Sequence, residues 1–302
     1  MIDVGALRAL RSVALLGTVA QAADELGFTP SAVSQQIKRL ERQLGVAVLA
    51  PAGRKVVLTP AGQVLVDAAP DVFHALERCV AAAQSVSHGT PIGVLRVDAF
   101  STGIRGLIAP SLAGLAAEYP DLDVRVTEQD PDRAVHSLDS GNADVALIHD
   151  ADGLPTPLPP VLTQKLVHID YGDVVVRRDH PLAQLKRDLT SDDLGGCAWV
   201  TSPEGTVCHR WFQRLVAGVP EQADVRHMVD DFSTQLSIVE AAHVVALIPR
   251  LARPPLTPAI VALPLSRPPR REVFAAWRRS ADASPLVHAF VSALNADPQT
   301  PQ

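Results

Sequence analysis

Apolar residues recur at helical spacing over roughly the first 45 positions and then give way to alternating strand and helix patterns. In "VGALRALRSVALL", residues 4 to 16, Leu7, Leu10 and Ala14 share one face and Arg8 and Arg11 another, which predicts an amphipathic helix. "AQAADEL", about residues 20 to 26, predicts a second, short helix in which Ala22 and Ala23 let a neighbour approach closely. Gly27 ends it, because glycine takes up the left-handed conformation of a helix C-terminus without strain. Thr29 and Pro30 then supply a capping hydroxyl and a residue suited to the first helical turn. Steps of ~100° place Val33, Ile37, Leu40 and Leu44 in one stripe of the third helix, with Ser31, Ser34, Gln35, Lys38 and Arg42 opposite. Taken alone, that polar face reads as solvated. Three short helices with a tight turn between the last two describe a helix-turn-helix, whose final helix enters the DNA major groove. In that setting Gln and Lys suit base edges and Ser and Thr suit phosphate.

After Gly45, "VAVLAPAGRKVVLTPAG" predicts two short strands around a turn, with Arg54 and Lys55 at its tip, a wing positioned against the DNA backbone. Thr59 and Pro60 start a further helix to about residue 88. Within it Leu65, Ala69, Val72, Leu76, Cys79, Ala83 and Val86 alternate spacings of four and three, a heptad stripe suited to self-association or to packing on its own domain. Pro70 should kink or interrupt this helix. "SHGTP", residues 87 to 91, reads as a linker.

From residue 92 strands and helices alternate: "GVLRVDAF", "LIAPSLAGLAAEY", "DVRVTEQ", a helix near 131 to 140, and "ADVALIHD". A second series has strands near "GDVVVRRD", "CAWVTS", "DVRHMVDD" and "VVALIP", with helices near 205 to 217 and 232 to 242. Two α/β lobes with a mostly parallel sheet are expected. The proline-rich "DADGLPTPLPPVL", residues 150 to 162, is expected to cross between them and "LSRPPRREV" to return.

The totals narrow the function. The 302 residues suffice for two or three domains with their own cores. Net charge is −6, but residues 1 to 65 hold seven Lys or Arg against four acids, a balance of +3 that leaves −9 for the remainder. A small polyanion-binding segment on an acidic body follows. Cys79, Cys197 and Cys208 have no framework or metal-ligand spacing. No apolar run approaches the ~18 residues of a membrane span. Asp3 ahead of Arg8 and Arg11, and no A-x-A cleavage site, argue against a secretory signal, so a cytoplasmic location is expected. There is no G-x-S-x-G, phosphate loop, G-x-G-x-x-G or clustered histidine, so neither catalysis nor a cofactor or metal is expected.

"GTVAQAADELGFTPSAVSQQIKRLERQLGVAVL" and "LTPAG" resemble the DNA-binding signature of LysR-type transcriptional regulators, and "RRDHPLA" and "VVALIP" resemble segments of that family's effector domain. The resemblance covers essentially the whole chain. It implies an α/β protein with an N-terminal all-α winged helix-turn-helix, a long linker helix, and a two-lobed effector domain like a type 2 periplasmic binding protein. The corresponding segments are 1–58 (motif about 18–38), 59–90, and 91–302, with lobe I about 91–161 and 267–302 and lobe II about 162–266. The resemblance further implies homodimers or homotetramers, binding to double-stranded DNA at an interrupted inverted repeat near a promoter, contact with RNA polymerase, a small-molecule effector, and no membrane partner. Thr29, Pro30, Ser31, Ser34, Gln35 and Lys38 match DNA-facing positions of the family, and Arg54 its wing arginine. Leu49 and Pro51 stand where the family has an aromatic residue and an arginine in the wing. Ala242, His243 and Val244 replace its glycine-rich turn.

Ligands of two-lobed α/β domains collect at the carboxyl ends of strands. Ser101 and Thr102 follow the first strand of lobe I, and Thr201 and Ser202 hold a comparable place in lobe II; each pair matches an effector-contact region or serves as an ordinary cap. His149 and Asp231 end strands on the same expected edge. No arginine pair accompanies Ser101 along the chain, so the effector's charge is left open. Cys208, beside His209 and Arg210, resembles the sensing cysteine of the peroxide-responsive branch or reads as a buried structural thiol. An enzyme or a solute-binding protein on the same scaffold are the alternatives.

Overall fold

The computed structural model describes residues 2–52, 55–86, 90–150, 158–219, 221, 223–251 and 253–294. These fall into two compact units, Met1–Val80 and Ala81–Gln302.

In the first unit, α1 (Val4–Leu16), α2 (Val19–Leu26) and α3 (Pro30–Leu44) start where capping side chains stand. The Asp3 carboxylate accepts from the Gly5 and Ala6 N–H groups, Thr18 Oγ1 from Gln21 N–H, and Thr29 Oγ1 from Ala32 N–H at 3.2 Å. Each cap contributes about 1 kcal/mol. Gly27, at φ 68°, turns the chain between α2 and α3, a conformation that a residue with a Cβ adopts only with strain. Leu10, Ala22, Ala23, Val33, Ile37 and Leu40 close the core between the three helices. The hairpin of β1 (Leu49–Ala52) and β2 (Lys55–Leu58) follows, antiparallel with Leu49 opposite Leu58. Its entry is fixed from α3, where Glu41 Oε1 accepts from Val48 N–H at 2.9 Å and Leu49 N–H at 3.3 Å.

The long helix α4 (Pro60–Val86) runs through Pro70 without a break. Its apolar stripe divides. Leu65 and Ala69, together with Phe73, pack against Leu7 of α1, whereas Val72, Leu76, Cys79 and Ala83 are exposed. Own-domain packing is therefore met at the start of the stripe, and the face beyond is uncovered.

The second unit begins with β3 (Gly93–Ala99), then α5 (Ser101–Gly103), which continues through a π-helical turn at Ile104–Ile108 into α6 (Ala109–Glu118). Next come β4 (Leu122–Glu128), α7 (Pro131–Ser140), β5 (Val145–His149) and the long β6 (Leu162–Arg177). Then follow β7 (Ala198–Thr201), α8 (Val207–Val216), β8 (Asp224–Met228), α9 (Phe232–Ala241), β9 (Ala246–Pro249), β10 (Ile260–Leu263), β11 (Arg270–Arg278) and α10 (Pro285–Leu294). The main sheet runs β10-β6-β11-β5-β3-β4, with β9 also on β6, and β7 pairs β8.

Among the described strands β3 pairs in parallel with β4 and β5, and β7 with β8, whereas the ladders through β6 and β11 are antiparallel. The sheet is thus mixed, and the expectation of a mostly parallel one is corrected. The cause is the crossing. Residues 151–157 of the proline-rich segment lie outside the described residues, and the lobes are joined by β6 itself. Residues 162–171 pair with β11 in lobe I, while residues 172–177 pair with β9 and β10 in lobe II. At the change of partner stands Gly172, where a Cβ would lie 2.5 Å from Trp211 and 2.7 Å from Leu247. Any larger residue there would push α8 off the strand. The expected return by "LSRPPRREV" holds, since it leads into β11.

Lobe I packs α6 and α10 on one sheet face, around Leu95, Val97, Leu147, Val273 and Phe290. Lobe II gathers Trp199, Trp211 and Phe212 against Val174 and Val176 on one face, and Phe232, Leu236 and Val239 against Val175 on the other. At the junction Asp170 and Arg271, each about 1% exposed in its side chain, form an ion pair at 2.7 Å. Asp170 also accepts from the Tyr171 and Leu251 N–H groups at 2.8 and 2.9 Å. Removing one member of such a pair strands a buried charge, so Asp170→Asn should destabilise the C-terminal unit by about 3 kcal/mol, read as a lower urea midpoint.

Candidate functional site

The face of α3 opposite its core stripe is open. Ser31, Gln35 and Lys38 are exposed and Ser34 is half-buried, while Val33, Ile37 and Leu40 are at most 2% exposed. Helix geometry alone enforces this division, because the buried residues recur every three or four positions. Thr29 and Pro30 form the exposed first turn, with the threonine hydroxyl engaged as the cap. Arg42 and Arg39 extend the basic face; Arg39 meets Asp3 at 3.7 Å, largely in solvent, a contact of little energetic weight. A groove of about 560 Å³ runs beside the helix, lined by Gln35, Lys38, Arg39, Glu41 and Arg42 and by Gly45 to Ala47. Arg54 lies outside the described residues, and so does the role expected of it.

A second concavity, of about 520 Å³, opens between the lobes at the carboxyl ends of β3, β4 and β5. Ser101 and Thr102 line it from the end of β3, His149 from the end of β5, and Asp130 from the start of α7. Lobe II contributes Thr206 and Cys208 at the start of α8 and Asp230 and Phe232 at the start of α9. Three of the expected effector residues, Ser101, Thr102 and His149, are therefore brought together. Thr201 and Ser202 are not among the lining residues; both are buried in lobe II, where Ser202 Oγ accepts from Gln235 at 3.4 Å and its carbonyl lies 2.9 Å from His209 Nδ1. Asp231 opens α9 rather than ending a strand, its carboxylate accepting from Thr234 N–H at 2.8 Å, and the cleft-lining acid is its neighbour Asp230. Burial opposes ionisation of Asp231, but the Thr234 hydrogen bonds and the Arg105 charge hold its carboxyl below the usual range.

The residue missing from the sequence reading is Arg271. It stands on β11, 1% exposed, with Nη2 donating to Thr102 Oγ1 at 3.0 Å and to Asp170 at 2.7 Å. Its guanidinium lies 5.3 Å from the Phe100 ring and 5.7 Å from the Trp211 ring, so one side chain touches both lobes. Arg271 lines the cleft, and its Nη1 is buried and finds no hydrogen-bond acceptor among the described residues. An unmet buried donor of this kind costs about 1–3 kcal/mol, which a ligand acceptor would recover. The sequence offers no arginine pair along the chain near Ser101; the single Arg271 reaches Thr102 through sheet pairing instead.

Three further groups set the local charge. Burial, then the Arg271 charge, push His149 down to about 3, so its ring is neutral near neutrality; it stacks edge-on to Phe100 at 4.6 Å. Burial pushes Asp130 up, opposed by the Asp132 N–H it accepts and reinforced by the charges of Asp132 and Asp230. Burial also pushes the Cys208 thiol up to about 11, and it sits in apolar company with the lobe II core. That favours the structural reading of this cysteine. At the rims two ion pairs cross the cleft, Arg105 with Asp231 and Arg210 with Asp132, both at 3.8 Å.

The profile described as "Bacterial regulatory helix-turn-helix protein, lysR family" matches residues 4–63, and that of the "LysR substrate binding domain" matches residues 88–298. A probable HTH-type transcriptional regulator, LrrA, of Synechococcus elongatus is 27% identical over 97% of this chain and 96% of its own length. A probable hydrogen peroxide-inducible genes activator of Mycobacterium avium is 30% identical over 83% of this chain and 79% of its own. Among solved structures, a full-length OxyR variant from Pseudomonas aeruginosa has a TM-score of 0.70 at 19% identity, covering 98% of each chain. Full-length CbnR complexed with its target DNA has a TM-score of 0.55 at 20% identity, covering 97% of this chain and 98% of the other.

Two outcomes follow from the titrations. Below about pH 6.5 the unfolded chain protonates His149 and the native chain does not, so stability should fall with acid. Denaturation midpoints between about pH 6.5 and 5 should fall less steeply in His149→Gln. Alkylation of Cys208 by iodoacetamide, followed by peptide mass spectrometry, should be slow at neutral pH and rise about tenfold per pH unit toward pH 10. Fast labelling at pH 7 would contradict that environment.

Proposed function

The chain belongs to the LysR family of bacterial transcriptional regulators, and we propose that α3 reads its operator while the interlobe cleft takes the small molecule that modulates binding. It is a DNA-binding transcriptional regulator with an effector-binding domain. The observation that carries the DNA assignment is the exposed face of α3, polar and basic directly behind a fully buried stripe. Gln35 and Lys38 read base edges in the major groove, and Ser31 and Ser34 contact phosphate and groove edge. Thr29 and Pro30 bring the first turn of this long helix, with the positive end of its dipole, to a phosphate. Arg54, by its place in the chain between β1 and β2, supplies the wing contact.

The exposed face of α4, with Val72, Leu76 and Val80 each at least 40% exposed, supports pairing of two chains. Paired readers fit an interrupted inverted repeat near a promoter, and two such dimers make the homotetramer. The protein works in the cytoplasm, where its effects on RNA polymerase are exerted, and it binds its effector without turning it over. Within the cleft the neutral His149 and the protonated Cys208 support a binding role over a nucleophilic one.

Titration of the intergenic DNA upstream of its own gene tests the assignment. Affinity should fall steeply with salt, and Lys38→Ala should weaken binding by about 1–3 kcal/mol. Arg54→Ala should lower the log–log salt slope by about one. A protein that bound this DNA at no salt concentration would defeat the reading of α3.

A further inference from the structure

The interlobe cleft asks for opposite charges on one small occupant. Arg271 lines the cavity, and its Nη1 is buried and lacks an acceptor among the described residues. Because Asp170 already balances the guanidinium at 2.7 Å, what the site lacks is an oxygen acceptor; a carboxylate is the strongest one. Asp130 from lobe I and Asp230 from lobe II line the same cavity. Glu128 and Asp132 bring the lining to four carboxylates against two arginines, Arg133 and Arg271. A purely anionic occupant would meet that surplus of like charge. A purely cationic one would leave Nη1 unfilled.

Both poles line one cavity: Arg271, Asp130 and Asp230 stand with Cys208 in its wall, and at about 520 Å³ it holds an occupant of amino-acid size, side chain included. We propose that the cleft binds a free α-amino acid, its carboxylate on Arg271 and its ammonium between Asp130 and Asp230. The idea rests on the cleft being the effector site. It also supplies a reason for the effector to act: without a cation, Asp130 and Asp230 repel across the lobes, and an ammonium between them draws the lobes together.

Thermal-shift screening of the full-length protein against the proteinogenic L-amino acids, each alone, tests this. At least one should raise the midpoint. Calorimetry on that amino acid should show binding weakened about tenfold or more by N-acetylation, by conversion to the carboxamide, and by Asp230→Asn. Asp230 is exposed, so its isosteric replacement leaves the core untouched. If no amino acid shifts the midpoint, or the acetylated form or the Asp230→Asn protein binds equally well, the amino-acid assignment is overturned. Ser101→Trp, which fills the cleft, separates the two levels. A compound that needs no ammonium but is lost in Ser101→Trp overturns the amino acid and keeps the cleft; an amino acid that still binds Ser101→Trp overturns both.

Discussion

The buried pair of Asp170 and Arg271 is the constraint around which the second unit is arranged. Asp170 lies on β6, two residues before the strand leaves lobe I for lobe II, and its two oxygens accept from Tyr171, Leu251 and the Nε and Nη2 of Arg271. Leu251 follows β9 of lobe II, so one carboxylate fixes the crossing strand to both halves. Two charges taken this far from water are tolerable only with their hydrogen bonds filled, and on the aspartate they are. On the arginine one donor is left over. Arg271 also lines the cleft, so the device that joins the lobes also presents their ligand-seeking group.

Local order explains what the sequence made legible. Helix boundaries of the first unit were set by Asp3, Thr18, Thr29, Gly27 and Gly45, residues whose effect is confined to one turn, and the division of α3 into buried and exposed faces follows from spacing alone. Ser101, Thr102 and His149 were found for a similar reason, since the carboxyl end of a strand can be read from where its apolar run stops. Arg271 and Asp170 could not be found this way. They are separated by 101 positions, and nothing near either residue marks the other as its partner. A charged residue in a run such as "RREVFAAW" reads as the solvent side of a strand until the neighbouring strands are known.

Two other failures share a physical origin. A long strand through two lobes leaves no break in its pattern, because each half is buried by a different set of neighbours; "LTQKLVHIDYGDVVVR" therefore gave a strand only at its apolar end. Assigning the crossing to the proline-rich segment instead followed a rule about extended linkers that a paired strand satisfies equally well. The same strand sets the antiparallel ladders with β9, β10 and β11, so the error in the crossing and the error in sheet type were one error. Thr201 and Ser202 were misplaced more subtly: β7 ends where expected, but the first turn of α8 lies over it, and the residues reaching the cleft are those of α8 and α9.

The rims of the cleft are built for small differences. Arg105–Asp231 and Arg210–Asp132 cross it in opposite senses, lobe I donating in one and lobe II in the other, and all four side chains are 40–55% exposed. Pairs so open to water contribute about 0–1 kcal/mol each, so together they bias the relation of the lobes without locking it. Moving a two-state equilibrium from 1:99 to 99:1 takes about 5.5 kcal/mol of differential affinity. A ligand that fills the Arg271 donor and bridges carboxylates from opposite lobes concentrates its contacts in the closed arrangement, which is where differential affinity arises. Weak rims and a demanding floor are what a sensor needs: strong rim pairs would hold the lobes together whether or not the cleft were filled.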